Sequence, residues 1–427
     1  MNILFNNILA INPIQNLNER INLHIIDGVI NNCSSDSVIT HQDTQIIDAS
    51  DFVAAPGFFD MHVHFREPGY EYKEDIHTGC LAAANGGFTG VLVMPNTMPA
   101  IDNAPVIGYI QGKAKDNLVD VHVSGALSQN RDGKAMSPML ELADCGALMF
   151  TDDGSCVSNS ELMRRIFRYA SSKDLLISQH CEDHGITHGF AMNESPVSDI
   201  LGLKGYPALA EELILYRDII LAADAGNRRY HASHLSTKGT IEIIRDAKRK
   251  GLRVTCEVTP HHFSLNDNLL TSYDTNLKMN PPLRRQVDID AIIEAIIDGT
   301  VDCIASDHAP HSIHEKEVEF DNAPYGIIGL ETEIGVTSSI LLSNKSISLN
   351  RFIELLSINP RKLLGLPDIF IKNDNIANLT IFSPNEEWVV DKRKFKSKST
   401  NSPYIGKTLK GKPKFAINNK KIFESTL

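Results

Sequence analysis

An α/β fold, a (β/α)8 barrel of the TIM type carrying a small β domain built from both chain termini, is what this sequence predicts. Three observations predict it. Two strand-rich flanks enclose a middle of different character, that middle alternates strand-like with helix-like stretches, and its strands end in histidine or aspartate.

The flanks come first in the chain. Residues 1–55 read as short strands punctuated by turns: "NILFNNILAI", "INLHIIDGVI" and "TQIIDAS". From Pro367 the tail reads alike, with "NLTIFSP", "EEWVV" and "FAINNKKIF" separated by Gly, Pro, Asn and Lys. One small β domain, residues 1–55 plus 367–427, is therefore expected beside a barrel over 56–366. In the middle, eight strand-like runs follow in order: "GFFDMHVHF", "GFTGVLVMP", "VDVHVSGAL", "GALMFTD", "DLLISQH", "RRYHASH", "LRVTCEVTP" and "VDCIASDHAP". Between them, "ELMRRIFRYASSKD", "GTIEIIRDAKRKG" and "DIDAIIEAIIDGT" repeat apolar residues at helical spacing. A doubly wound open sheet is the competing architecture. Against it, no G-x-G-x-x-G follows the first strand, and polar residues end strands all round the series.

Composition narrows the partners. The chain has 427 residues, 42% hydrophobic and 22% charged, which is ordinary for a globular protein with a large core. A formal net charge of −12 argues against a nucleic-acid or anionic-membrane partner, and a small anionic substrate would need a local cationic pocket. The seven cysteines (Cys33, Cys80, Cys145, Cys156, Cys181, Cys256, Cys303) are odd in number and never form C-x-x-C. They read as reduced thiols, not as a disulfide framework or a thiolate zinc site. "MNILFNNILAINPI" lacks the basic start of a signal peptide, and no apolar run is long enough to span a bilayer. A cytoplasmic protein is expected.

The strand ends carry the chemistry. Strand one ends in His62 and His64, strand four in Asp152 and Asp153, strand five in His180, strand six in His234 and strand eight in Asp307. His62 and His64, two residues apart, share a face of their strand. In a barrel these ends converge on one mouth. Histidine and carboxylate ligands without thiolates suit Zn2+ or a similar divalent ion, and four histidines with two aspartates exceed what one tetrahedral ion needs. Such an ion activates water and polarises a carbonyl, so hydrolysis of an amide-like bond is the natural reaction class. Asp307, on the last strand facing the first, is the candidate acid-base group.

The motifs "DMHVHFREPG", "MPNTMP", "FTDDG", "QHCED", "HASHLS", "MNPPLR" and "SDHAPH", in this order from about residue 50 to 366, resemble those of bacterial-type dihydroorotases of the amidohydrolase superfamily. H-x-H is shared across the superfamily, whereas "HFREPG", "MPNT", "NPPLR" and "SDHAPH" together are specific to dihydroorotases and close relatives. The resemblance implies one metal on His62, His64 and Asp307, a second on His180 and His234, and Asp153 between them, with one or two Zn2+ per subunit. It implies that Arg66, Asn96 and His311 grip a substrate carboxylate, that His64 borders the substrate, and that Asn280 and the backbone of Tyr325 and Gly326 contact its ring. Arg and a hydrogen-bonding amide are what a buried carboxylate needs. His261 and His262 in "TPHHF" are expected to be structural.

The activity so implied is the reversible cyclisation of N-carbamoyl-L-aspartate to L-dihydroorotate in pyrimidine synthesis, with a homodimer expected and an aspartate transcarbamoylase a candidate partner. Two rivals are another cyclic amidohydrolase (a hydantoinase or allantoinase) and a non-catalytic scaffold for a transcarbamoylase. Hydantoinases, and some other dihydroorotases, carry a carboxylated lysine on strand four where this chain has "FTDDG", and non-catalytic relatives lose ligands that this chain retains. The charged segment 311–329 after strand eight reads either as a lid over the mouth or as a surface excursion.

Overall fold

The computed structural model describes residues 2–38, 40 and 42–427. The N-terminal residues form β1 (Asn2–Asn12), β2 (Leu17–Ile26), β3 (Val29–Ser34), β4 (Gln45–Asp48) and β5 (Val53–Pro56). Their apolar residues fall inward: Ile3, Phe5, Ile8, Ile21, Leu23 and Ile25 are buried in one cluster with Leu379, Ile381 and Ile417 from the tail. The sheet runs β18-β17-β16-β5-β1-β2-β3 with β4 beside β1, where β16 is Leu379–Val389, β17 Thr408–Asn418 and β18 Lys421–Glu424. Strands from both ends of the chain thus share one sheet, and the join is the antiparallel pairing of β5 with β16.

Two details depart from the sequence reading. "NLTIFSP" and "EEWVV" are not separate strands but one, β16, whose register against β17 slips between Ser383 and Glu387. A bulge absorbs the Pro384–Asn385 interruption without ending the strand. Conversely, "FAINNKKIF" is a hairpin: Asn419 and Lys420 both adopt positive φ (51° and 59°), the two-residue geometry that matches the twist of paired strands.

All eight expected barrel strands are present and parallel. They are β6 (Phe58–Val63), β7 (Phe88–Val93), β8 (Asp120–Gly125), β9 (Ala147–Phe150), β10 (Ile177–Gln179), β13 (Tyr230–Ala232), β14 (Val254–Val258) and β15 (Cys303–Ile304), in that order round the sheet. A short pair, β11 (Met192–Asn193) and β12 (Gly205–Tyr206), lies outside it. A bridge between Val63 and His308 brings the eighth strand back to the first, with the His64 N–H donating to the His308 carbonyl at 2.9 Å. Closure of this kind rules out the open-sheet alternative.

The expected helices form as Ser160–Ala170, Lys238–Arg249 and Gln286–Asp298. Each turns one apolar stripe inward; Leu162, Met163, Ile166, Phe167 and Ala170 are the buried face of the first. Asn159 caps that helix, accepting from the Glu161 and Leu162 N–H groups. Barrel and terminal sheet are locked by Phe58, whose ring lies 6.0 Å from Phe352 and 5.6 Å from Phe382. Burying one such ring contributes about 1.5–3 kcal/mol. Among the described residues no helix is long and apolar enough to cross a membrane.

Candidate active site

Five strand ends deliver their polar residues to one place. His62 is on β6 and His64 just past it, Asp153 follows β9, His180 follows β10, His234 follows β13 and Asp307 follows β15. Arg66, His234 and Asp307 hold positive φ (63°, 33° and 48°), a region that side chains other than glycine rarely adopt. Strain of this kind persists where surrounding structure over-determines it, and here it turns three polar side chains into the mouth.

Asp153 sits at the centre. Its Oδ1 lies 3.3 Å from His62 Nε2 and 3.3 Å from His234 Nε2, and its Oδ2 lies 3.5 Å from His64 Nε2. Two ligand sets result: His62, His64 and Asp153 on one side, and Asp153, His180 and His234 on the other, the donor atoms within 4.8 Å of one another in each. Asp307 Oδ1 joins the first, 3.0 Å from His64 Nε2 and 3.6 Å from His62 Nε2. Asp152 points elsewhere: its Oδ1 accepts from the N–H groups of Leu127 and Ser128, and its Oδ2 from the Ser128 hydroxyl. Geometry therefore separates two aspartates that the residues alone left open.

The outward nitrogens of three histidines are braced. His62 Nδ1 meets Glu257 at 2.6 Å, His64 Nδ1 meets the Asn96 carbonyl oxygen at 2.8 Å, and His180 Nε2 meets Glu182 at 2.9 Å. Each brace fixes the tautomer and points the remaining nitrogen inward, as metal-ligating histidines require. His62 Nε2, fully buried, has no hydrogen-bond partner of its own. An orphaned, oriented nitrogen facing carboxylates fits a divalent cation, so the donor set suits the metal chemistry read from the sequence.

Electrostatics agree with a cation-binding arrangement. Burial would raise the Asp153 carboxyl, but His62, His234 and His64 outweigh it and hold it well below the usual carboxylate range. Asp307 is treated alike: burial opposes ionisation, and the His64 hydrogen bond with the surrounding imidazoles overcomes it. Glu257 is held at about 2 against its burial, chiefly by His62 and His231. These carboxylates are ionised at neutral pH.

A cavity of about 190 Å3 opens above this cluster. Every residue to which the resemblance gave a metal or substrate role lines it except His62, which is fully buried. Arg66 is half-buried in its wall, held by a hydrogen bond from Nε to the Pro310 carbonyl at 3.2 Å, with no carboxylate partner among the described residues. Burial pushes its guanidinium down to about 10. Beside it, His311 Nε2 donates to the Tyr325 carbonyl at 2.8 Å and is kept neutral by burial and by Arg66 and Lys316. Asn280 donates to Glu182 at 2.8 Å, so one carboxylate holds both His180 and Asn280.

The segment 311–329 is part of this wall. Lys316 and Phe320 within it are buried, and the Lys316 ammonium donates to the carbonyls of Thr275 and Pro324. His262 is structural as expected, bonded to Thr259 and to the Pro281 carbonyl. Three contributors escaped the sequence reading: Glu257, Glu182, and Arg131, whose Nη2 grips the Asp153 carbonyl. A carboxylate inside the apolar strand "VTCEV" and another two positions after His180 were the available signals.

Comparison with known proteins bears on what this cavity does. A family profile described as dihydro-orotase-like matches residues 52–240. The dihydroorotase of Syntrophus aciditrophicus is 43% identical over 413 residues, 96% of each chain, and that of Chlorobaculum tepidum is 43% identical over 99% of each. The chain belongs to the dihydroorotase family. Dihydroorotase relatives and the site together make it a hydrolase of cyclic-amide C–N bonds acting on a small molecule, with side chains placed for a metal cofactor. In overall fold this dihydroorotase-family chain is similar to the L-hydantoinase of Arthrobacter aurescens (TM-score 0.85, 22% identity, 99% and 96% of the two chains covered). It is also similar to the dihydropyrimidinase of Brevibacillus agri (TM-score 0.83, 20% identity, 100% and 95% covered).

Proposed function

We propose that the protein is a cytoplasmic dihydroorotase that interconverts N-carbamoyl-L-aspartate and L-dihydroorotate at a centre of one or two zinc ions, working as a homodimer. The observation that carries this reading is Asp153 between two sets of oriented imidazoles, beneath a cavity lined by the Arg66 guanidinium, which has no carboxylate partner among the described residues. His62, His64 and Asp307 would hold one ion, His180 and His234 the other, with Asp153 between. A divalent ion held there lowers the pKa of water to near neutrality and polarises a carbonyl oxygen.

The chain's own residues do the rest. Asp307, ionised and next to both His62 and His64, accepts the proton of the attacking water and returns it to the ring nitrogen as the amide bond breaks. In the cyclising direction it takes the ureido proton and hands it to the departing oxygen. Arg66 and the amide N–H groups of Asn96 bind the substrate carboxylate, His311 holds that end of the wall, and Asn280 with the Tyr325–Gly326 backbone borders the ring. Asn96 has a double duty, because its carbonyl oxygen is already engaged by His64. The hydantoinase reading differs by needing no carboxylate clamp.

The test is turnover of L-dihydroorotate by purified protein before and after chelation, with metal analysis alongside. Activity should vanish with the metal and return with zinc. Full activity in demonstrably metal-free protein overturns the reading.

A further inference from the structure

The other end of the barrel holds a second cavity, of about 520 Å3, lined by the start of β8 and the residues before it, the chain leaving the last helix and the turn of the β17–β18 hairpin. Its wall includes Arg361, on the helix Asn359–Leu364, only 7% exposed. Two guanidinium nitrogens of Arg361, Nε and Nη2, are buried without any hydrogen-bond partner, and no ion pair reaches this side chain among the described residues. Its recorded neighbour is the Phe59 ring, 5.5 Å from the guanidinium carbon.

The nearest carboxylate does not answer the charge. Asp120 acts on Arg361 through space, but its two oxygens accept from Asn418 at 3.0 Å and Asn419 at 2.9 Å. A buried arginine almost always finds a carboxylate or several carbonyls, because an unpaired charge removed from water is costly. Arg284, still more deeply buried, keeps the rule: it pairs with Glu211 and bonds to Ser236, Asn193 and the Tyr206 carbonyl. Arg361 departs from the rule with neither a carboxylate nor a carbonyl among the described residues, and it borders a cavity of ligand size.

We propose that this cavity is a second binding site, remote from the catalytic mouth, for a small organic anion whose carboxylate or phosphate supplies the counter-charge of Arg361. Lys115 at the same cavity adds positive charge, while Asp116 and Asp368 favour a ligand that also carries N–H donors. An occupant would touch both the barrel strand β8 and the Asn419 turn, so binding would stiffen the join between barrel and terminal sheet.

The test compares wild type, Arg361→Met and Arg66→Met by thermal unfolding at fixed ionic strength, with inorganic phosphate and L-glutamate as probes and chloride as control. Arg66→Met removes the cationic partner that an anion would find at the mouth. At least one probe should raise Tm by about 2 °C or more in wild type and in Arg66→Met, and by nothing in Arg361→Met. Phosphate alone acting would name a phosphorylated ligand, and glutamate alone a carboxylate. In chloride alone Arg361→Met should be as stable as wild type or more so, with kcat/KM unchanged within twofold. Should Arg361→Met fold poorly, Arg361→Lys keeps the charge without the fork and should weaken the probe's effect at least severalfold. Equal rises in wild type and Arg361→Met, no rise with either probe, or a Tm more than about 5 °C below wild type for Arg361→Met in chloride alone would each overturn the proposal.

Discussion

The two ends of one barrel treat buried charge in opposite ways. At the mouth, three histidines are braced by Glu257, Asn96 and Glu182, and Asp153 is surrounded by imidazoles. At the floor, Arg361 has a phenyl ring and an otherwise engaged aspartate. A barrel's catalytic groups belong to the loops after its strands, while its other end serves stability. The contrast teaches that bracing marks groups whose position matters to chemistry, and a missing counter-charge marks a place where something else must supply it. Arg66 unites both traits: it is positioned by Pro310 yet has no carboxylate, as a substrate clamp should.

The comparison can be broken at its strongest point first. Asp307→Asn keeps the shape but cannot accept a proton, and should cut turnover about 100- to 10,000-fold in both directions. A loss below about threefold would move the proton to another group. Next comes the clamp. Arg66→Met should lower kcat/KM for L-dihydroorotate by tens- to thousands-fold, the cost of about 2–5 kcal/mol for breaking a buried charged pair. Hydrolysis of uncharged dihydrouracil should change far less; equal fractional losses would show that Arg66 supports the fold and does not read the carboxylate.

The braces should matter less than the groups they hold. Glu182→Gln and Glu257→Gln should weaken metal affinity about 10- to 100-fold, measured by competition with a chelator, and excess zinc should restore much of the turnover. Unchanged affinity in both would reduce the braces to packing. The smallest effect lies away from both ends. Burial, reinforced by Glu74, pushes the Glu331 carboxyl up from 4.5 to about 7. A raised folded pKa means the folded state binds the extra proton, so this contribution is full below about pH 4.5 and lost as pH rises through 7. Wild-type Tm should therefore fall more than that of Glu331→Gln between pH 5 and pH 8; parallel curves would place the raised carboxyl elsewhere.

Much of the mouth is legible in sequence because strand ends announce themselves: an apolar run that stops in His or Asp has few structural reasons to do so. Asp152 and Asp153 are inseparable there, since a one-residue step decides which faces the cluster, and only the turn after β9 settles it. Glu257 stayed hidden because it acts through His62, 195 positions away in the chain. Arg361 in "NPRKLL" reads as an ordinary surface helix residue, and nothing local says that its guanidinium will end against the Phe59 ring. The terminal strands themselves were visible, but their division was not. Pro384 suggested an end where a bulge sufficed, and Asn419–Lys420 concealed a turn inside a polar run.

The sheet shared by both ends of the chain sets a timetable for synthesis. While the ribosome is still making the barrel, β5 has β1 on one side and an open edge on the other, because its partner β16 begins only at Leu379. An unpaired edge is a template for strands of other molecules. Domains generally fold as units while the chain emerges from its N-terminal end. Here β5 waits for β16 until the whole barrel has been made, and the nascent chain carries an adhesive edge all that while.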